Sequence, residues 1–366
     1  APCMMVGVES AIKKELTMAI VTLSLPNVKR KTETRPKKCP HCQGETFQRW
    51  GKAPKPVCDS RFRNVQVYRY RCCHCHHTFR WYPEGVDRAD QTLRLRKLVA
   101  ILWVLGMSLR SVALALSAFG IKLSHMSVWR DLQEQAELVT KQRHWQGVRV
   151  LGVDGAYPFL KGKKLPVLIA VDLGNGQPVA IGQVDEYSPQ AVKRFLEPLV
   201  QRLGVSVIVS DDLASFRSVA PKLGLEQQVC QFHVRRWVSR ALHDLKTKLP
   251  EEWLWVLLEI KDLITELPVE GSRRLFQLWK QIPEPRSGRN ATPLSPLDQL
   301  RYLLLRLSEH WDSYRLFDWQ KDVPWTNNRT EQAIGRMKMR ARTVRSYKSW
   351  QGMHAALLLS GLGPAF

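Results

Sequence analysis

Val148-Arg-Val-Leu-Gly-Val-Asp-Gly-Ala-Tyr157 is the stretch on which the reading of the chain turns. Val148, Val150, Leu151 and Val153 are apolar and three of them are β-branched, which predicts a strand. Asp154 then stands at the far end of a buried apolar run, where a carboxylate is costly unless something pairs with it. Taken alone, Asp154-Gly155 is an ordinary turn signal that ends a strand. The rest of the chain gives it another meaning.

The 366 residues leave room for two or three domains and a well-buried core. The formal net charge is +23, with a pI near 9.9. Residues 1–150 hold 26 Lys and Arg against 11 Asp and Glu, and the remainder 30 against 22, so the surplus is steepest in the first part. Such an excess calls for a polyanionic partner. The longest apolar candidate, Leu98 to Met107, is too short to span a bilayer, and the start shows no basic segment leading into an apolar core and cleavage site. Nucleic acid is therefore the expected partner, with no membrane and no secretion. Four of the eight cysteines form two C-x-x-C pairs, a pattern of metal binding under reducing conditions.

Residues 1–36 read as an extension, with one short helix from Ala11 to Ser24 and then a basic, Pro-punctuated linker. Cys39-Pro-His-Cys42 and Cys72-Cys-His-Cys75 follow, two knuckles that supply four tetrahedral thiolates to one Zn2+. Phe62 to Tyr70 alternates as a strand, and Thr78 to Trp81 adds another, so 37–84 is expected to be a zinc ribbon. So few apolar residues need the metal to hold them. Cys58, Cys73 and the histidines at 41, 74, 76 and 77 compete for a ligand position. Over 88–142 the period becomes helical. Leu93, Leu95, Leu98, Ile101, Leu102 and Leu105 share one face, Ser108 caps a second helix ending before Gly120, and Ser124 caps a third. This is a helix-turn-helix pattern, whose third helix would bring His125, Ser127 and Arg130 to the major groove. An ordinary three-helix bundle is the plain alternative.

From 146 to 366 the chain reads as α/β. After the Asp154 strand come Leu165 to Leu173, a Gly174-Asn-Gly176 hairpin and Pro178 to Asp185. Ser188 caps a helix, Val205 to Ser210 is a strand running into Asp211-Asp212, and Val229 to His233 is a further strand. Three antiparallel strands, a helix and more strands is the order of a ribonuclease H-like sheet. Residues 235–320 are Leu-rich and helical, an insertion whose tryptophans are expected in its core and whose loop spans Glu284 to Ser295. Thr326 or Asn327 then caps a helix that carries Glu331 about one turn in. Lys338, Arg340, Arg342, Arg345 and Lys348 make a basic helix and turn.

Asp154 and Asp211 both end strands, and neighbouring strands would set them side by side. Two such charges about 4 Å apart repel by about 4 kcal/mol at an effective dielectric of about 20. A divalent cation between them removes the conflict, and hard Mg2+ or Mn2+ suits oxygen ligands. Two ions together favour in-line phosphodiester attack. Glu331 would complete the site. At this point the order Asp154, Ser210-Asp211, Asn327-Asn328-Arg-Thr-Glu331 resembles DDE transposases of prokaryotic insertion sequences, and Cys230-Gln-Phe-His233 resembles the C-x-x-H pair of the Mutator-like group. The spacings of 57 and 120 residues suit that resemblance. It implies a ribonuclease H-like catalytic domain in which Asp154, Asp211 and Glu331 hold Mg2+ or Mn2+. It also implies cleavage and strand transfer at terminal inverted repeats and target DNA, by a homodimer or larger assembly at the nucleoid. Asp212 competes with Asp211 as the ligand. Cys230 and His233 would lie near the site, Asn328 would orient backbone or DNA beside Glu331, and Lys338 and Arg342 fit phosphates. A catalytically idle DNA-binding regulator and a structure-selective nuclease are the rival readings.

Overall fold

The structure, a computed structural model, describes residues 23–143, 147–284, 294–344 and 346–364. The expected helix from Ala11 falls almost wholly outside them, as do Arg345 and most of the Glu284 to Ser295 loop.

A three-stranded antiparallel sheet comes first: β1 (Phe47–Pro56), β2 (Asn64–Cys72) and β3 (Thr78–Trp81), in that order. β2 carries the alternation that the sequence predicts, with Val65, Val67 and Tyr70 buried. β1 does not stand out in the sequence. It is polar, contains two prolines and lies almost fully exposed at a sheet edge, where a missing N–H costs no ladder bond. The two knuckles close on each other beyond the strand ends. Cys39 Sγ lies 3.7 Å from Cys75 Sγ, Cys42 Sγ lies 3.6 Å from Cys72 Sγ, and all four sulfurs fall within 4.8 Å of one another. Four thiolates about 2.3 Å from a central Zn2+ would be spaced by about 3.8 Å, so the set has zinc dimensions. Backbone N–H groups of Cys75 and His74 bring the Cys72 thiol down to about 6, favouring the thiolate a metal needs. Cys58 and Cys73 stand outside that set.

Three helices follow: α1 (Leu93–Val104), α2 (Leu109–Ala118) and α3 (His125–Gln142). Thr92, Ser108 and Ser124 cap them, each hydroxyl accepting a backbone N–H three residues on. The join to the ribbon is ionic. Asp59, with a fully buried side chain, accepts from Arg94 Nη2 at 2.7 Å and from Thr92 Oγ1 at 2.6 Å.

The α/β part is built from β4 (Val150–Ala156), the short hairpin β5 (Phe159–Leu160) and β6 (Lys163–Lys164), β7 (Val167–Asp172), β8 (Gln177–Gly182), α4 (Pro189–Leu203), β9 (Val207–Ser210), α5 (Ala214–Val219) and β10 (Glu226–Val229). Its five-stranded mixed sheet has the order β10-β9-β4-β7-β8. β4, β7 and β8 are antiparallel, while β9 and β10 run parallel to β4 and to each other. Two departures from the sequence reading matter here. β4 does not turn at Gly155 but continues to Ala156, still paired with β7. The last strand ends at Val229, not His233. Cys230 caps a helix instead, because its N–H bonds to Ser210 O while its carbonyl already accepts from His233 and Val234.

That helix, α6 (Gln231–Lys246), opens an all-helical segment with α7 (Leu254–Glu266), α8 (Gly271–Gln281), α9 (Pro296–Glu309) and α10 (Trp311–Trp319). Trp311 fills its core, whereas Trp255 and Trp319 are about half exposed, so the tryptophans are not one buried stripe. α11 (Asn328–Thr343) and α12 (Trp350–Leu362) then return to the sheet.

Alternation along β4 separates two packed faces. Leu151 and Val153 join α4 and α5, while Ala156 faces the layer of α11 and α12 with Val167, Ile169 and Val171 of β7. That second cluster continues into α1, α2 and α3, so the helical module shares a core with the sheet. Arg340, expected on a basic face, turns inward here. It stacks on Trp103 and donates to the carbonyls of Gly106 and Met107. Among the described residues no helix is long and apolar enough to cross a membrane.

Replacing Cys42 with serine removes one corner of the four-sulfur set. The protein should lose its zinc by elemental analysis, and the amides of β2 should exchange faster with solvent.

Candidate active site

The parallel register of β4 and β9 pairs Leu151 with Ile208 and Gly152 with Val209. Carried two residues further, it sets Asp154 level with Asp211 at the carboxyl ends of adjacent strands. A period of two puts both on the face that α11 covers. α11 comes close there because Gly152 has no side chain. A Cβ at that position would meet the Thr330 hydroxyl and the Asn327 amide oxygen. Asn327 pins the approach, donating from Nδ2 to Val153 O at 3.1 Å and from its backbone N–H to Cys230 Sγ at 3.3 Å. Glu331 lies in the first turn of that pinned helix.

The three acidic residues are not equivalent. Burial pushes the Asp154 carboxyl up to about 6, against the pull of the Gly155 N–H on Oδ1 at 2.8 Å. Burial and then the charge of Asp154 push Asp211 up to about 7. Asp211 Oδ1 and Glu331 Oε1 are buried without a hydrogen-bonding partner in the protein. Glu331 is drawn to His233, whose Nδ1 lies 4.0 Å from its Oε1. Cys230, His233 and Glu331 place one ligand atom each within 4.8 Å of one another, a compactness that Asp154, Asp211 and Glu331 do not share. Burial pushes the Cys230 thiol up, yet its bonds to His233 and to the Asn327 N–H together hold it below the ordinary thiol range. The bond to Cys230 raises His233. This imidazole lies between the thiol and the carboxylates.

Asp211 and Asp212 separate sharply. Asp212 is buried and ion-paired to Arg217 and to Arg306, the latter at 2.6 Å, with Tyr314 Oη 3.4 Å away. Its oxygens are committed to anchoring α9 and α10 beneath the strand end. Those of Asp211 are not. Buried carboxylate oxygens without donors suit an oxygen-ligated divalent cation, and the residues present fit one.

Other expected residues are spread more widely. His125 and Arg130 are exposed near the start of α3, while Ser127 is half-buried and bonded to Ser124 Oγ. Lys338 and Arg342 are exposed on α11 and line a cavity of about 430 Å³ with Tyr157, Phe159 and Lys164. Asn328 is exposed, and the buried anchor is its neighbour Asn327. Two further residues had escaped notice. Glu186, between the end of β8 and the Ser188 cap of α4, is buried and acts electrostatically on both Asp154 and Asp211. Tyr157 donates its hydroxyl to Glu186 Oε1 at 2.7 Å. Only the adjacency of acidic Asp185 and Glu186 to a strand end hinted at this, and a solvated loop reads the same way.

Residues 183–355 match the sequence model of the family described as "Transposase IS66 family". The matched span holds Glu186, Asp211, Cys230, His233 and Glu331 and begins after Asp154. The chain is also similar to the catalytic core domain of BIV integrase, with 16% identity over 45% of this chain and 97% of that one; the TM-score is 0.20, too weak a superposition to bear on the fold. No curated protein matches.

The two adjacent aspartates should respond oppositely to neutralisation. Asp212→Ala strands two arginines and should cost about 3–5 kcal/mol in denaturant unfolding. Asp211→Asn removes a buried, repelled charge and should leave the melting temperature unchanged or higher.

Proposed function

We propose that the chain is a transposase of the DDE type with a ribonuclease H-like catalytic domain, acting on DNA with Mg2+ or Mn2+. The observation that carries this reading is the pair of level, buried aspartates at the ends of β4 and β9, under a helix that presents Glu331. The transposase-family match over 183–355 supports it, as does the order of antiparallel and parallel strands. The family match carries a different description from the Mutator-like group whose C-x-x-H pair Cys230 and His233 resemble.

When bound, a pair of divalent ions supplies positive charge to the attacking and leaving oxygens of an in-line phosphodiester displacement. Asp154 and Asp211 would hold that charge jointly, with Glu331 completing the ligand set from α11. Asn327 keeps α11 seated so that Glu331 stays in reach. Lys338 and Arg342 neutralise the phosphates of the strand lying along the adjacent cavity. The four-cysteine sheet, holding Zn2+, and α3, with His125, Ser127 and Arg130, would engage the terminal inverted repeats. Cutting two ends together calls for a homodimer or larger assembly, working at the nucleoid in the cytoplasm.

The test incubates the purified protein with supercoiled DNA bearing the inverted repeats that flank its own gene. Mg2+ or Mn2+ should produce strand cleavage, and Asp154→Ala, Asp211→Ala or Glu331→Ala should each abolish it. Cleavage that survives in these variants would exclude the assignment. Repeat-specific binding by a wild-type protein that never cuts would favour the DNA-binding regulator.

DNA affinity should fall with salt along a log–log slope of about −0.9 per phosphate contact. Lys338→Ala combined with Arg342→Ala should flatten that slope by about two contacts, measured by fluorescence anisotropy.

A further inference from the structure

Glu186 is a buried acidic residue beside β4 that the three-carboxylate scheme leaves without a task. It is only 7% exposed. Its Oε1 accepts from Tyr157 Oη at 2.7 Å, while Oε2 is buried with no partner in the protein. The chain gives up a side chain to make room for it. A Cβ on Gly155 would fall on the Glu186 carboxylate, touching Oε1, Oε2 and Cδ. Gly155 has no positive φ and continues β4, so its conformation does not call for glycine. The close approach of the carboxylate does. Ser215 Oγ donates to the Glu186 carbonyl, which fixes the backbone that presents this side chain.

The position is telling. Gly155 follows Asp154, and Glu186 reaches over it from the α4 side of the sheet, opposite α11. The close packing against Gly155 holds the carboxylate in the interior while leaving Oε2 with no donor in the protein. A bound cation would supply the missing partner.

We propose that Glu186 is a fourth carboxylate of the metal site, offering Oε2 to a divalent cation from the face opposite Glu331, with Tyr157 as the positioning residue that aims it. This rests on the metal-dependent reading of Asp154 and Asp211. The site would then be closed from both faces of the sheet, Glu331 on one side and Glu186 on the other. Tyr157 has a single hydroxyl proton to donate, and it goes to Oε1; Oε2 is left for the ion. Glu186→Gln keeps the shape and an acceptor for Tyr157 but removes the charge. Tyr157→Phe keeps the charge but lets the carboxylate swing.

The experiment measures Mn2+ binding to the zinc-loaded full chain by the electron paramagnetic resonance signal of free Mn2+, without DNA or turnover. Melting curves confirm that each variant is folded. Asp154→Asn should weaken Mn2+ binding, and Glu186→Gln should weaken it by about tenfold or more. Tyr157→Phe should show a smaller loss in the same direction, and Gly155→Ala should reproduce the Glu186→Gln defect by displacing the carboxylate. Wild-type affinity in folded Glu186→Gln, alongside a defect in Asp154→Asn, would overturn the role of Glu186 and leave the metal reading standing. Absence of saturable Mn2+ binding by the wild-type chain would overturn both.

Discussion

The parallel pairing of β4 with β9 is the constraint on which this molecule depends. It sets two aspartates level at the ends of adjacent strands, in surroundings that disfavour their charge. Neither can retreat to solvent, because the apolar strands behind them are locked between two packed layers. His233 and Lys338 offset that stress only in part, and both carboxyls stay raised. The buried arginine contacts of this region go to Asp212 instead. Carboxyls shifted this far by burial and by each other mark a candidate functional site.

Asp212 shows how the same residue type serves the opposite purpose one position on. A strand-end Asp-Asp pair points its side chains to opposite sides. The inward one anchors α9 through Arg306 and is satisfied, whereas its neighbour faces the site and is not. The helical segment between β10 and α11 is thus tied directly under the end of the sheet that carries Asp211. Its loss would remove Arg306, one of the two counter-charges of Asp212, as well as the bulk of a separate hydrophobic core.

The helical module at 88–142 is similarly bound in. Its core runs into α11 and α12, Trp129 occupies the space left by Gly352, and Arg340 crosses to the turn between α1 and α2. Because α11 carries both Arg340 and Glu331, a shift of the module bears on the helix that presents Glu331.

Much was legible in the residues alone. Apolar, β-branched runs marked β4 and β7, period-two alternation marked β2, hydroxyl caps at Ser108, Ser124 and Ser188 marked helix starts, and paired cysteines marked a metal knuckle, because each signal is local and chemically specific. Asp154, Asp211 and Glu331 could be named from order and strand ends. What needed the tertiary structure was everything that depends on who stands opposite. The sequence favours Asp211 over Asp212 only because it directly follows the strand; the pairing of Asp212 with Arg217 and Arg306 is what sets the two apart. Gly155 reads as a turn, yet it is a gap for Glu186. Arg340 reads as a surface charge, yet it is packed on Trp103. Local preference is written along the chain, but the partner of a buried charge comes from residues tens to hundreds of positions away, and only the closed fold chooses it.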